Sequence, residues 1–134
     1  MIEVEASSEM PGVDVDALAD VARWVCGEVG IGRASLGLMV VGEERMAEIN
    51  GEHRDKPVPT DVLSFPVDGL TVLDGWPEDG PAPELGDIII CPAAAEDPLS
   101  TLTVHGLLHL IGYDHEVDQG EMLALQDDLV DRLA

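Results

Sequence analysis

From Val13 to Val29 the apolar residues Leu18, Val21, Ala22, Val25 and Val29 recur at the spacing of one helical face, with Asp14 or Asp16 placed to cap the start. The pattern predicts an amphipathic helix ended near Gly30. Ala34 to Val41 is an apolar run interrupted only by Ser35, with Leu36, Leu38 and Val40 on one side and Met39 and Val41 on the other, between Gly32 and Gly42. Apolar residues on both sides predict a buried strand. Glu43 to Asn50 brings acidic residues into a first turn and sets Met46 and Ile49 on one side, so a short helix is expected there, stopped by Gly51. The segment Asn50 to Asp61 reads as a loop feeding a short strand, Val62 to Pro66, which its proline marks as an edge or a strand end. Residues 67–84 alternate proline and glycine with acidic residues around Trp76, as a surface excursion does. A compact strand, Gly86 to Cys91, is stopped by Pro92; a helix begins after Pro98 with Ser100 or Thr101 as its cap. Met122, Leu125, Leu129 and Leu133 then mark a closing helix from about Asp118.

Composition narrows this to one domain over residues 1–134, since 46% hydrophobic residues can fill a single core at this length. Aromatic residues make up 3%, so the core must be built from Leu, Val, Ile, Met and Ala. No apolar run approaches the roughly 18 residues of a membrane span, and Met-Ile-Glu-Val-Glu lacks the regions of a signal peptide. A cytoplasmic protein with no membrane partner is expected. Cys26 and Cys91, isolated in a helix and a strand, are expected to be reduced and buried. The 28 acidic against 6 basic side chains give a net charge of −22, which repels nucleic acid at long range. Screening beyond about 8 Å at physiological salt still lets a local cation cluster hold a phosphate. The acidity itself reads as a solubility trait or adaptation to a salty cytoplasm.

The chemistry concentrates in His105-Gly-Leu-Leu-His109-Leu-Ile-Gly112-Tyr-Asp-His115, which holds three of the chain's four histidines. Helical positions four apart lie about 40° apart around the axis and about 6 Å along it, so the imidazoles of His105 and His109 can converge. Gly112 can take the left-handed conformation that ends a helix and returns His115 toward the same point. Three neutral imidazoles with an open position suit a catalytic zinc ion, one per chain, whereas a structural zinc would want a fourth protein ligand. The spacing is that of the metzincin proteases, but the glutamate those enzymes carry after the first histidine is here Gly106. A metal hydrolase of another kind follows. Asp61, Asp87 and Asp114 are the carboxylates that could serve as base; Asp114 also suits capping a turn or orienting a histidine, Asp61 capping a turn and Asp87 bonding backbone at a strand start, and His53 is expected to be an exposed loop residue.

The histidine motif, Pro59-Thr-Asp-Val-Leu-Ser-Phe-Pro66 and Leu85-Gly-Asp-Ile-Ile-Ile-Cys91 together resemble the YbeY family of bacterial rRNA maturation factors. The resemblance implies a metal-dependent, single-strand-specific endoribonuclease that matures ribosomal RNA, notably the 3′ end of the small-subunit RNA, and takes part in ribosome quality control. It places the metal ligands on His105, His109 and His115 and the functionally important arginine on Arg54, whose planar guanidinium can grip two phosphate oxygens. It implies an α+β fold like that of the zinc-dependent proteases: a small mixed sheet of about four strands packed with helices, with a C-terminal metal-binding helix. Single-stranded rRNA and the small ribosomal subunit with its proteins are the implied partners. RNA also carries its own 2′-hydroxyl, leaving open whether that group or water attacks the phosphate. Two other readings stand beside this one: a metallopeptidase, and a zinc-stabilised ribosome-assembly factor without cleavage. Family members carry a longer, partly helical stretch where this chain has the short 92–104 connection, through a shortened loop or residues absent from this sequence.

Overall fold

Alternation of half-buried and exposed positions begins at the second residue of the structure, a computed structural model describing residues 1–133. Strand β1 (Ile2–Ser8) turns Ile2, Val4 and Ala6 toward the core and Glu3, Glu5 and Ser7 away from it. The hydropathy pattern provides no element here because two glutamates in a short segment dilute its mean hydropathy. Helix α1 (Val15–Glu28) follows, with Asp14 accepting a hydrogen bond from the Ala17 amide as its cap. Strand β2 (Ala34–Val40) has the two faces expected: Leu36, Leu38 and Val40 in one core, Met39 packed against the other.

Helix α2 (Glu43–Arg54) runs a turn beyond its expected stop at Gly51. Gly51 is there for a different reason: a Cβ at that position would lie 3.3 Å from Pro57, so its bareness lets the following loop fold back on the helix. The helix ends instead at Asp55, in the left-handed region at φ 56°, a conformation that aspartate tolerates. Arg54, expected in a loop, is therefore the last helical residue, and His53 beside it is helical too. The buried Asn50 amide donates to the Val58 carbonyl and pins the loop that enters β3 (Val62–Pro66). The 67–84 excursion contains one short helix, α3 (Gly69–Val72). Strand β4 (Glu84–Ile90) comes next. After a 3-10 turn at Pro92–Ala94, helix α4 (Leu99–Leu110) starts from Pro98, not from a hydroxyl cap; Ser100 and Thr101 lie inside the helix. Helix α5 (Glu121–Leu133) begins three positions later than expected, because Asp118 folds its carboxylate back onto the Gly120 and Met122 amides just before the helix.

The sheet order is β1-β2-β4-β3, with the first three strands parallel and β3 antiparallel at the edge, as its proline requires. Alternation along β4 splits the interior into two cores. Ile88 and Ile90 face the larger one, shared with α1, α4 and α5, while Ile89 and Cys91 face a smaller one under Met46 and Ile49 of α2. Each such fully buried aliphatic side chain contributes roughly 1.5–3 kcal/mol. Cys26 and Cys91 are free and buried, and burial pushes the Cys26 thiol up to about 11. No helix of the described residues is long and apolar enough to cross a membrane.

Candidate metal centre

Helix α4 lies against β3 and β4, and the closeness of that contact is set at Gly106. A Cβ there would stand 2.7 Å from Ile88 Cγ2 and 3.3 Å from Ser64 Oγ. The position that carries the protease glutamate is thus pressed into the sheet, and no carboxylate fits without moving the helix. Ser64 Oγ donates to the Gly106 carbonyl at 3.0 Å, tying edge strand β3 to the helix between its two histidines. Gly112 takes φ 105°, its amide donates to the His109 carbonyl at 3.2 Å, and the Tyr113 amide donates to Leu108 at 3.0 Å. This pair of bonds is a Schellman stop, and only glycine accepts that backbone readily.

The stop returns the chain so that His115 faces His105 and His109. Ring centroids are 4.8 Å apart for His105–His109, 5.1 Å for His105–His115 and 5.2 Å for His109–His115. One nitrogen of each ring lies within 4.8 Å of the others. Three histidine nitrogens gathered in this way, with a fourth position left open, are the donor set of a catalytic zinc site. Burial lowers the pKa of His109 below the usual 6.5, and the neighbouring His105 and His115 push the same way; the Tyr113 backbone and the Asp114 carboxylate oppose. His109 is therefore neutral at pH 7, with a lone pair to offer. His105 Nδ1 lies 2.7 Å from Gln126 Oε1 on α5, a partner that no local sequence spacing announces.

These residues line an open cleft of about 540 Å³ together with Arg54, Thr60, Asp61, Ser64, Asp114 and Glu116. Arg54 reaches it from the end of α2, around the edge strand, and makes no ion pair among the described residues. Of the three carboxylates considered, Asp61 and Asp114 line the cleft and Asp87 does not. Asp61 accepts from the Val62 amide at 2.8 Å and Asp114 from the Glu116 amide at 3.0 Å, so each shapes a turn at the rim. Asp87 projects from the opposite face of the sheet, beside Phe65 and His53 in a separate groove; it is removed from the candidates for a base. The exposed His53 ring lies 4.8 Å from that of Phe65, tilted by 57° and away from the trio.

The family model described as Endoribonuclease YbeY matches residues 5–134. The chain is 43% identical to the Endoribonuclease YbeY of Acidothermus cellulolyticus, over 95% of this chain and 88% of the relative. It is 40% identical to that of Mycobacterium marinum, over 97% and 82%. The solution structure of TM1509 from Thermotoga maritima superposes with a TM-score of 0.61 at 26% identity, covering 98% of this chain and 87% of that one. The Acidothermus alignment runs over 147 positions, more than this chain's 134 residues, so the relative has residues without a counterpart here. With the family model spanning nearly the whole chain and the histidines of its motif meeting at one point, this chain belongs to the YbeY family.

Proposed function

We infer that the chain is an endoribonuclease of ribosomal RNA maturation, folded as a single domain over residues 1–134. It cuts single-stranded RNA, the small-subunit 3′ end in particular, at a zinc site held by His105, His109 and His115. The observation that carries this reading is the meeting of the three imidazoles and Arg54 in one open cleft. The donor set fits the metal: imidazole nitrogens from a helix and its return loop, with no fourth protein ligand among the described residues. A zinc ion held there would supply Lewis acidity toward a phosphoryl oxygen.

The protein's own residues supply the rest. Arg54 offers two parallel N–H donors to the non-bridging oxygens and neutralises charge that grows on them in the transition state. No carboxylate among the described residues pairs with it, which leaves those donors free. Asp61 and Asp114 hold the rim loops in place through backbone amides. Edge strand β3 lines the cleft and bounds the path of an extended strand of RNA. Peptidase chemistry is disfavoured at Gly106, where the sheet excludes the glutamate that would activate water. The working partners are single-stranded rRNA and the small subunit with its proteins, in the cytoplasm.

Zinc-loaded wild type and His109→Ala, incubated with unstructured ribosomal RNA, test the assignment. Cleavage by wild type and its loss in the variant, together with loss of stoichiometric zinc, is expected. Equal cleavage by both would show that the activity comes from elsewhere.

A further inference from the structure

Gln126 stands on α5 among apolar neighbours. Met122 and Leu129, four positions before and three after it, are both fully buried, so the helical period turns Gln126 toward α4 with them. A half-buried glutamine there carries a desolvation cost that methionine or leucine would avoid. Its Oε1 lies 2.7 Å from His105 Nδ1, which gives the residue a specific task.

A neutral imidazole has one N–H and one lone pair, and the hydrogen bond made by one nitrogen decides what the other presents. Gln126 Oε1 is an acceptor, so Nδ1 of His105 must carry the proton and donate it. Nε2 is then the lone-pair nitrogen and faces the cleft. The bond also fixes the ring plane, and it ties the metal trio on α4 and its loop to a helix that contributes no ligand of its own. We propose that Gln126 is a positioning residue of the metal centre: it holds His105 in the Nδ1–H tautomer and so sets Nε2 as the coordinating atom. The proposal rests on the zinc reading above and adds to it which nitrogen binds and which residue outside the motif decides it.

Partners of this kind usually change metal affinity by about 10–100-fold when removed. The test uses zinc alone, in competition with a chromophoric chelator, on the full chain and on Gln126→Met and Gln126→Glu. Methionine fits the apolar stripe and removes the acceptor; glutamate keeps the acceptor and strengthens it. Gln126→Met should bind zinc at least tenfold more weakly with unchanged thermal unfolding of the metal-free protein, while Gln126→Glu should match or exceed wild type. Nitrogen-15 imidazole spectra of the zinc-loaded wild type should show His105 protonated at Nδ1 and metal-bound at Nε2. Unchanged affinity in Gln126→Met, or coordination of His105 through Nδ1, would overturn the proposal while leaving the zinc site intact. Failure of the wild-type protein itself to bind zinc would instead overturn the site on which the proposal rests.

Discussion

Arg54 and the three histidines share a cleft, and under the separate roles proposed for them their variants should separate too. Arg54 is exposed and makes no ion pair among the described residues, so Arg54→Ala removes no packing and leaves no buried charge behind. Its stability should stay within about 0.5 kcal/mol of wild type. Its zinc content should be unchanged while cleavage falls by about 10²–10³-fold, the usual loss when one preorganised transition-state donor is removed. Metal analysis and single-turnover cleavage on the same preparation check this; loss of zinc in the variant would assign Arg54 a structural place. Arg54→Lys should recover only part of the rate, because an ammonium cannot form the planar fork. At this scale the histidines were legible because helix period and one glycine turn suffice to bring them together. Gln126 was not, since nothing local distinguishes a glutamine that faces α4 from one that faces water.

Among the elements, β4 carries the most demanding backbone. Ser35 pairs with Glu84 and Gly37 with Asp87, so β4 holds one extra residue, and Gly86 within that bulge takes φ 136°. A Cβ on Gly86 would lie 2.1 Å from the Phe65 carbonyl oxygen and 3.0 Å from Leu110 Cδ2. Gly86→Ala therefore combines a disfavoured backbone conformation with overpacking against β3 and α4, each costing about 1–3 kcal/mol. A loss of about 3 kcal/mol or more in urea unfolding is expected, with zinc affinity falling as β3 is pushed from α4. Near-wild-type stability would mean that the edge strand is not held as closely as this geometry requires. The same strand shows what pattern reading can reach. Its run of isoleucines announces a buried strand, and Val62–Pro66 announces an edge. The extension of α2 to Arg54 depends on Pro57 folding back over Gly51, and the start of α4 depends on the backbone of Pro98; both are set by contacts rather than by residue preference. The strand order itself, with β4 between β2 and β3, has no local signal at all.

For the whole molecule, the question is how a chain of net charge −22 approaches a polyanion. Arg23, Arg45 and Arg132 are engaged with Asp20, Glu48, and Glu28 and Asp128, and Arg33 donates to the Pro77 carbonyl. Arg54 and Lys56, the remaining cationic side chains, make no ion pair among the described residues and sit together where α2 ends, with Arg54 lining the cleft. Positive charge available to RNA is thus concentrated at the site while the rest of the surface repels. These two fields have different ranges. At 0.01 M salt the screening length is about 30 Å, so the whole acidic surface opposes approach; at 0.15 M it is about 8 Å, and only the local contact still acts at full strength. A basic RNA-binding protein loses affinity steadily with added salt as counterions are released. Here kcat/KM for a short single-stranded RNA should rise between 0.01 and about 0.15 M potassium chloride. It should decline only at higher salt, once the contact with Arg54 is itself screened. Steady-state kinetics over that range at fixed zinc measures it. A monotonic fall from the lowest salt would show that the RNA meets a positive field larger than the few cations at the cleft can produce, and that part of the binding surface lies elsewhere.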